Sequence, residues 1–364
     1  MSAEGLGVGR ITEKSLAKEP LTQEEVLFLF SLRDERQIAE LMLGARKIRA
    51  HFFGEEIFLT GFVYFSTFCR NYCSFCHYSA SYGTPRYRKT TQEVLDICGR
   101  LRDSGVHLID LTMGEDPLYL ADGAGKLLEL IGQITQEIDV PLMISPGLVE
   151  VSVLKRMAEM GVAWYACYQE TFNRAKFQTL RVGQEFEKRM SAKRKARELH
   201  LLVEEGVLLE VGEETRDLIS AVAAIQSLGA EQVRAMTYVR PGHRHIGSSR
   251  RHHFSEEMVV AIFRHIFPEK LIPASLDVAG LDGLSSRLEA GANVVSSIIP
   301  SGVGLKGVCQ TSLDIADGRR AVENVRHVLS RLNLAPARPA VYQSWLRAAR
   351  ERRAENQMLT VGIG

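Results

Sequence analysis

The sequence predicts an α/β protein, a complete (β/α)8 TIM barrel with an N-terminal helical extension. Eight apolar, strand-like segments alternate with amphipathic, helix-like ones from residue 57 onward, and eight is the number that closes a barrel. No tract rich in Pro, Gly or Ser, no internal repeat and no low-complexity stretch divides the 364 residues. The first strand-like segment runs into cysteines, whereas an open doubly wound sheet usually shows a glycine-rich turn at that point.

Residues 1–20 read as a loosely ordered arm. Thr22-Gln-Glu-Glu25 then has capping-box spacing and opens a helix whose apolar face is Val26, Leu27, Leu29 and Phe30. A second helix is predicted over 35–51, with Ile38, Leu41, Met42 and Ile48 at helical spacing. The strand candidates are 58–66, 106–114, 140–147, 164–170, 208–212, 232–239, 272–280 and 293–300. Helices are expected between them at 91–102, behind a Thr90-x-x-Glu93 capping box, and at 125–137, 152–160, 186–205, 217–228, 255–267 and 285–289. Two more follow, at 314–332 and 341–356. The expected division is an arm with helices over 1–54, the barrel over 55–335, and a C-terminal helix and tail over 336–364.

Composition removes several functions. With 45 Lys+Arg against 44 Asp+Glu there is no field for a polyanion, so nucleic acid is not the expected partner. Apolar runs fall short of the ~20 residues that cross a bilayer, and residues 1–20 lack the apolar core of a signal peptide. Six cysteines are too few for a disulfide scaffold in a chain this long. The expected setting is the reducing cytoplasm.

Three of those cysteines crowd together as Cys69, Cys73 and Cys76, a C-x3-C-x2-C spacing at the end of the first strand. A structural zinc site would need a fourth ligand, and the nearest is His77, directly adjacent to Cys76. Inert buried cysteines would sit among core residues, but these are flanked by Arg70, Asn71 and Ser74. The remaining alternative is a [4Fe–4S] cluster on three thiolates, which leaves one iron open for another ligand. Cys98, Cys167 and Cys309 read as ordinary core residues.

In a barrel, functional side chains gather at the C-terminal strand ends. There the sequence places Asp110 and Thr112 on one face of the second strand, Ser145 after the third and Glu170 after the fourth. Arg234, Met236 and Tyr238 share a face of the sixth strand, as Ser275 and Asp277 do on the seventh. Facing inward, these would complement an amino acid with a second amine, although an internal ion pair of Arg234 with Asp277 would use the same residues. Arg181 and Arg189 could return to the barrel mouth and fork onto a carboxylate. By periodicity alone Arg189 is a surface helix residue.

The C-x3-C-x-Φ-C pattern, with Phe75 as Φ, resembles the signature of the radical S-adenosylmethionine (SAM) superfamily. Further segments are similar to the 3-methylornithine synthase family of pyrrolysine biosynthesis, in the biotin synthase-like group. They are residues 46–54, 62–69, 143–147 and 180–184, Asp110-Leu-Thr-Met-Gly-Glu-Asp-Pro117 and Leu271-Ile-Pro-Ala-Ser-Leu-Asp277. One stretch, 239–249, is basic where that family is more acidic and proline-rich.

The resemblance implies a [4Fe–4S] cluster on Cys69, Cys73 and Cys76, with SAM chelated to the open iron. It implies SAM contacts at Phe75, Glu115, Ser145, Glu170, Arg181 and Arg189. It also implies that Arg234 and Ser275 take a substrate carboxylate and that Asp110 and Asp277 take the amines. The implied reaction isomerises L-lysine or a similar diamino acid. A 5′-deoxyadenosyl radical removes hydrogen from Cγ, the Cα–Cβ bond breaks to a glycyl radical and aminobutene, and Cα recombines with the former Cγ. The resulting primary radical recovers hydrogen from 5′-deoxyadenosine and SAM is regenerated. No protein acid or base is implied; the electron would come from a low-potential donor such as flavodoxin or ferredoxin. Other readings remain: a related mutase, lyase or maturase acting on another amino acid or giving another stereoisomer, and a non-catalytic zinc- or cluster-binding scaffold.

Overall fold

The computed structural model describes residues 6–240, 254–309 and 319–361, with side chains up to 353. Eight parallel strands form the barrel: β1 Glu56–Ser66, β2 Leu108–Met113, β3 Leu142–Ser145, β4 Trp164–Ala166, β5 Leu202–Leu209, β6 Gln232–Thr237, β7 Pro273–Ser275 and β8 Val294–Ile298. Consecutive strands pair in register from β1 to β6, and β7 pairs with β8, which returns to β1. Between β6 and β7 the barrel closes through one bridge, with Val233 N donating to Leu271 O at 2.8 Å and Leu271 N to Glu231 O at 3.1 Å.

Each strand stands where the sequence predicts one, except β5. The predicted helix over 186–205 ends at Glu198, and the strand occupies Leu202–Leu209 instead of 208–212. Glu204 and Glu205 look like helix surface, yet both are buried on opposite faces of the strand, each with its own cation. The helix Pro117–Glu137 is broken by non-helical backbone at 121–124, so its regular part begins near the predicted start. The predicted helix over 314–332 is Val322–Arg331, and residues 314–318 lie outside the described residues. So does the basic stretch 240–253, apart from Arg240.

The arm is not loose. Residues Val8–Leu16 form a helix, α1, whose Val8 and Ile11 are buried. Thr12 Oγ1 meets His265 Nε2 at 3.1 Å, Ser15 Oγ donates to His265 O at 2.7 Å, and Lys14 pairs with Glu25 at 2.7 Å. Two apolar and two small hydroxyl residues make too short a stripe to announce a helix, and tertiary contacts hold it. Gly44, on the helix Glu35–Phe53, faces this contact: a Cβ there would lie 2.5 Å from Thr12 Oγ1 and 2.7 Å from His265 Nε2. Gly44→Val is therefore expected to lower stability by about 1–3 kcal/mol, read as a fall in melting temperature; an unchanged melting temperature would show that α1 yields freely.

The end of the barrel where the strands begin is plugged. On the C-terminal helix Pro339–Val361, Trp345 stacks on Trp164 of β4, with centroids 5.9 Å apart and planes 2° from parallel. Beside it, Trp164 Nε1 donates to Tyr342 Oη at 3.2 Å, and Tyr342 meets Phe58 edge-on at 5.1 Å. Among the described residues no helix is long and apolar enough to cross a membrane.

Candidate active site

At the C-terminal end of the strands a chamber opens. Every candidate residue lines it: Cys69, Cys73, Phe75 and Cys76; Glu115, Ser145, Glu170, Arg181 and Arg189; and Asp110, Arg234, Ser275 and Asp277. Cys167 and Cys309 line it too; Cys98 and Cys167 are buried core residues as expected, and only Cys309 stands outside the core. Cys309 escapes sequence reading because it comes in on a late loop.

The cysteines sit on the loop after β1. Two residues of it, Tyr72–Cys73, pair antiparallel with Arg181–Val182. This ladder brings donors to sulfur: Gln184 Nε2 donates to Cys73 Sγ at 3.0 Å and Arg181 Nη1 at 3.7 Å. Backbone N–H groups of Asn71 and Tyr78 donate to Cys69 Sγ and Cys76 Sγ, each at 3.4 Å. Gly114 lets this loop close, since a Cβ would strike Phe68 O and the Cys69 side chain. Burial pushes the Cys69 and Cys76 thiols up. Sulfurs surrounded by donors yet deprived of water fit thiolates bonded to metal. Among the described residues no three His, Cys, Asp or Glu side chains converge to hold a single metal ion.

Above the cysteines lies a set of buried charges. Glu170 pairs with Arg181 at 2.8 Å, and Arg181 stands 5.2 Å from the Phe75 ring centroid. Glu170 Oε2 and Arg181 Nε are buried without a protein partner. Burial raises the Glu170 carboxyl while Arg181 opposes the rise. Glu115 accepts from Leu148 N at 2.9 Å, Arg70 Nε at 3.2 Å and Arg189 Nη1 at 3.4 Å. Arg189 is 3% exposed, against its expected surface position, because the first turn of Phe186–Glu198 tucks under the mouth. There it donates to Tyr168 O at 2.8 Å through Nη2 and 3.2 Å through Nε.

Deeper in the barrel, Asp110 accepts from Ser145 Oγ at 2.8 Å. Burial raises the Asp110 carboxyl to about 7, helped by the charge of Glu204 and opposed by Ser145 and Arg234. The ion pair of Arg234 with Asp277 does not form. Arg234 pairs with Glu204 at 2.7 Å, and Asp277 pairs with Arg320 at 3.1 Å. Asp277 also accepts from Tyr64 Oη at 2.8 Å and Ser297 Oγ at 2.7 Å, with Ser275 Oγ at 3.3 Å. Sequence reasoning missed Glu204, Tyr168, Tyr64 and Arg320. For Glu204 the signal was available once β5 is set correctly, because strand alternation puts it on the same face as Leu208, which lines the chamber.

The chamber thus has a thiol-rich rim, a charged middle and a carboxylate–arginine floor. Residues 63–219 match the Radical SAM superfamily. The chain is 38% identical to the 3-methylornithine synthase of Methanosarcina acetivorans over 342 residues, 93% of this chain and 97% of the relative. It is 37% identical to that of Methanosarcina barkeri over 335 residues, 92% and 95% respectively. The crystal structure of methylornithine synthase (PylB) superposes with a TM-score of 0.87 at 37% identity, covering 92% of this chain and 99% of that one. The FeFe-hydrogenase maturase HydG of Carboxydothermus hydrogenoformans, at 22% identity and a TM-score of 0.75 over 91% of this chain and 79% of that one, shares the fold. On this likeness, which runs nearly the full length, the chain belongs to the 3-methylornithine synthase family of the radical SAM superfamily.

Proposed function

We propose that this chain isomerises L-lysine to 3-methylornithine, with the chamber confining the substrate while its carbon skeleton rearranges. The observation that carries this reading is the convergence, deep in one closed barrel, of Arg234 and Ser275 with two carboxylates, Asp110 and Asp277. A diamino acid offers the complement: one carboxylate and two ammonium groups.

A [4Fe–4S] cluster and SAM are the cofactors, and when bound they supply the 5′-deoxyadenosyl radical that opens the reaction. Cys69, Cys73 and Cys76 would hold the cluster. Glu170 Oε2 and Arg181 Nε, buried without partners, would complete their hydrogen bonding on SAM, with Phe75, Glu115, Ser145 and Arg189 beside them. Arg234 and Ser275 hold the substrate carboxylate. Asp277, held between Arg320 and three hydroxyls, and Asp110 hold the amines. Phe62, Tyr64 and Tyr168 wall the chamber and exclude water, so that reactive fragments meet only each other. No side chain is needed as acid or base. The electron comes from a low-potential protein donor of the flavodoxin or ferredoxin kind.

Anaerobic turnover of lysine with SAM and a reductant, followed by mass spectrometry, tests the reading. One product isomeric with lysine is expected; release of a smaller fragment overturns it. The pH dependence tests Asp110. With its carboxyl near 7, about a tenth is ionised at pH 6 and about nine-tenths at pH 8, while the side-chain amine of lysine stays protonated. The KM for lysine is therefore expected to fall as pH rises from 6 to 8, and Asp110→Asn to flatten that profile. An identical slope in the variant would remove Asp110 from the amine site.

A further inference from the structure

The chamber floor holds a carboxylate that belongs to neither the cluster loop nor the SAM set. Glu204 on β5 is fully buried, and both of its oxygens are taken: Oε1 by Arg234 Nε at 2.7 Å, Oε2 by the Tyr168 hydroxyl at 2.6 Å. Arg234 Nη1 donates to Ser296 Oγ at 3.1 Å. The guanidinium carbon lies 5.9 Å from the Phe62 ring centroid and 6.0 Å from that of Tyr168. Buried Nη2 is left without a protein partner. A guanidinium is a rigid planar fork, so fixing Nε and Nη1 fixes where Nη2 points.

We propose that Glu204 is the positioning residue for the substrate carboxylate: it sets the plane of Arg234 so that Nη2 serves the chamber, and it cancels the arginine's charge. This rests on the reading of Arg234 as the carboxylate ligand. Without Glu204 the floor would be a bare buried cation, attractive to any small anion. With it, recognition depends on hydrogen-bond geometry and favours an amino acid that brings its own ammonium groups to Asp110 and Asp277. The class selected is α-amino acids with a free carboxylate, and the corresponding amines are rejected because Nη2 would stay unpaired.

The test measures binding of L-lysine and of 1,5-diaminopentane, which has both amines and no carboxylate, to anaerobically reconstituted protein with SAM. Glu204→Gln is expected to weaken lysine about tenfold or more, mainly in KM, and to bring the two probes' affinities together. Chloride should compete with lysine in this variant and not in the parent, a response that a purely structural role would not produce. Arg234→Gln should lose the same discrimination, and the double variant no more than Arg234→Gln alone. Iron content and melting temperature report folding. If Glu204→Gln fails to fold, Glu204→Asp, which keeps the charge but is one methylene short, should show the same convergence of affinities. Parent-like discrimination and chloride insensitivity at Glu204, alongside loss at Arg234, would overturn this proposal and leave the Arg234 reading intact. Parent-like discrimination in Arg234→Gln would overturn both.

Discussion

Cys73→Ala is expected to yield a folded protein that takes up no cluster and cleaves no SAM. Cys73 stands on the two-residue ladder against Arg181–Val182, and its sulfur gathers the Gln184 amide and the Arg181 guanidinium. Removing it takes away one of three thiolates, and two cannot hold a cluster with an open iron. Cys98→Ala is the matching control, because Cys98 is wholly buried in the hydrophobic core. It should keep full iron content and lose about 0.5–3 kcal/mol of stability. Iron analysis and the visible absorption of the reconstituted protein separate the two outcomes. Parent-like iron in Cys73→Ala would remove Cys73 from the ligand set.

Asp277→Ala should lower kcat/KM for lysine by about two to three orders of magnitude, the scale for truncating one partner of a buried, hydrogen-bonded charge pair. The carboxylate is the meeting point of Arg320, Tyr64 and Ser297, so its loss strands a buried cation as well as the substrate amine. Asp277→Asn keeps the shape and acceptors for the hydroxyls without the charge, and should recover folding but little turnover. SAM affinity measured by equilibrium binding distinguishes a substrate defect from collapse of the whole site. A parent-like KM for lysine in Asp277→Ala would refute the role.

Much of this site is legible in the sequence because cysteine spacing and strand alternation are local. C-x3-C-x2-C needs no tertiary knowledge, and Ser275 and Asp277 fall on one face by counting. What escaped depends on neighbours distant in sequence. Arg234 has Glu204 for its partner because β5 and β6 lie in register, Glu204 opposite Gln232 and Gly206 opposite Arg234. Asp277 lies beyond the end of the short β7, where Arg320 arrives from the other side of the undescribed 310–318. Glu204-Glu205 resembles exposed helix to any reading that prices buried charge without seeing its counter-ion. Arg189 shows the same limit: its helix is legible, but not that the first turn runs beneath the mouth.

The stacked indoles of Trp164 and Trp345 make the barrel a cul-de-sac. Among the described residues the chamber that Asp110, Arg234 and the three cysteines line lies at the other end of the strands, so on the proposed function lysine, SAM and product would pass through the same mouth. On the function proposed above, the amino acid would enter ahead of the sulfonium, and the rearranged product would leave after it. A mouth shared in this way would make departure of the cofactor part of the enzyme's timing.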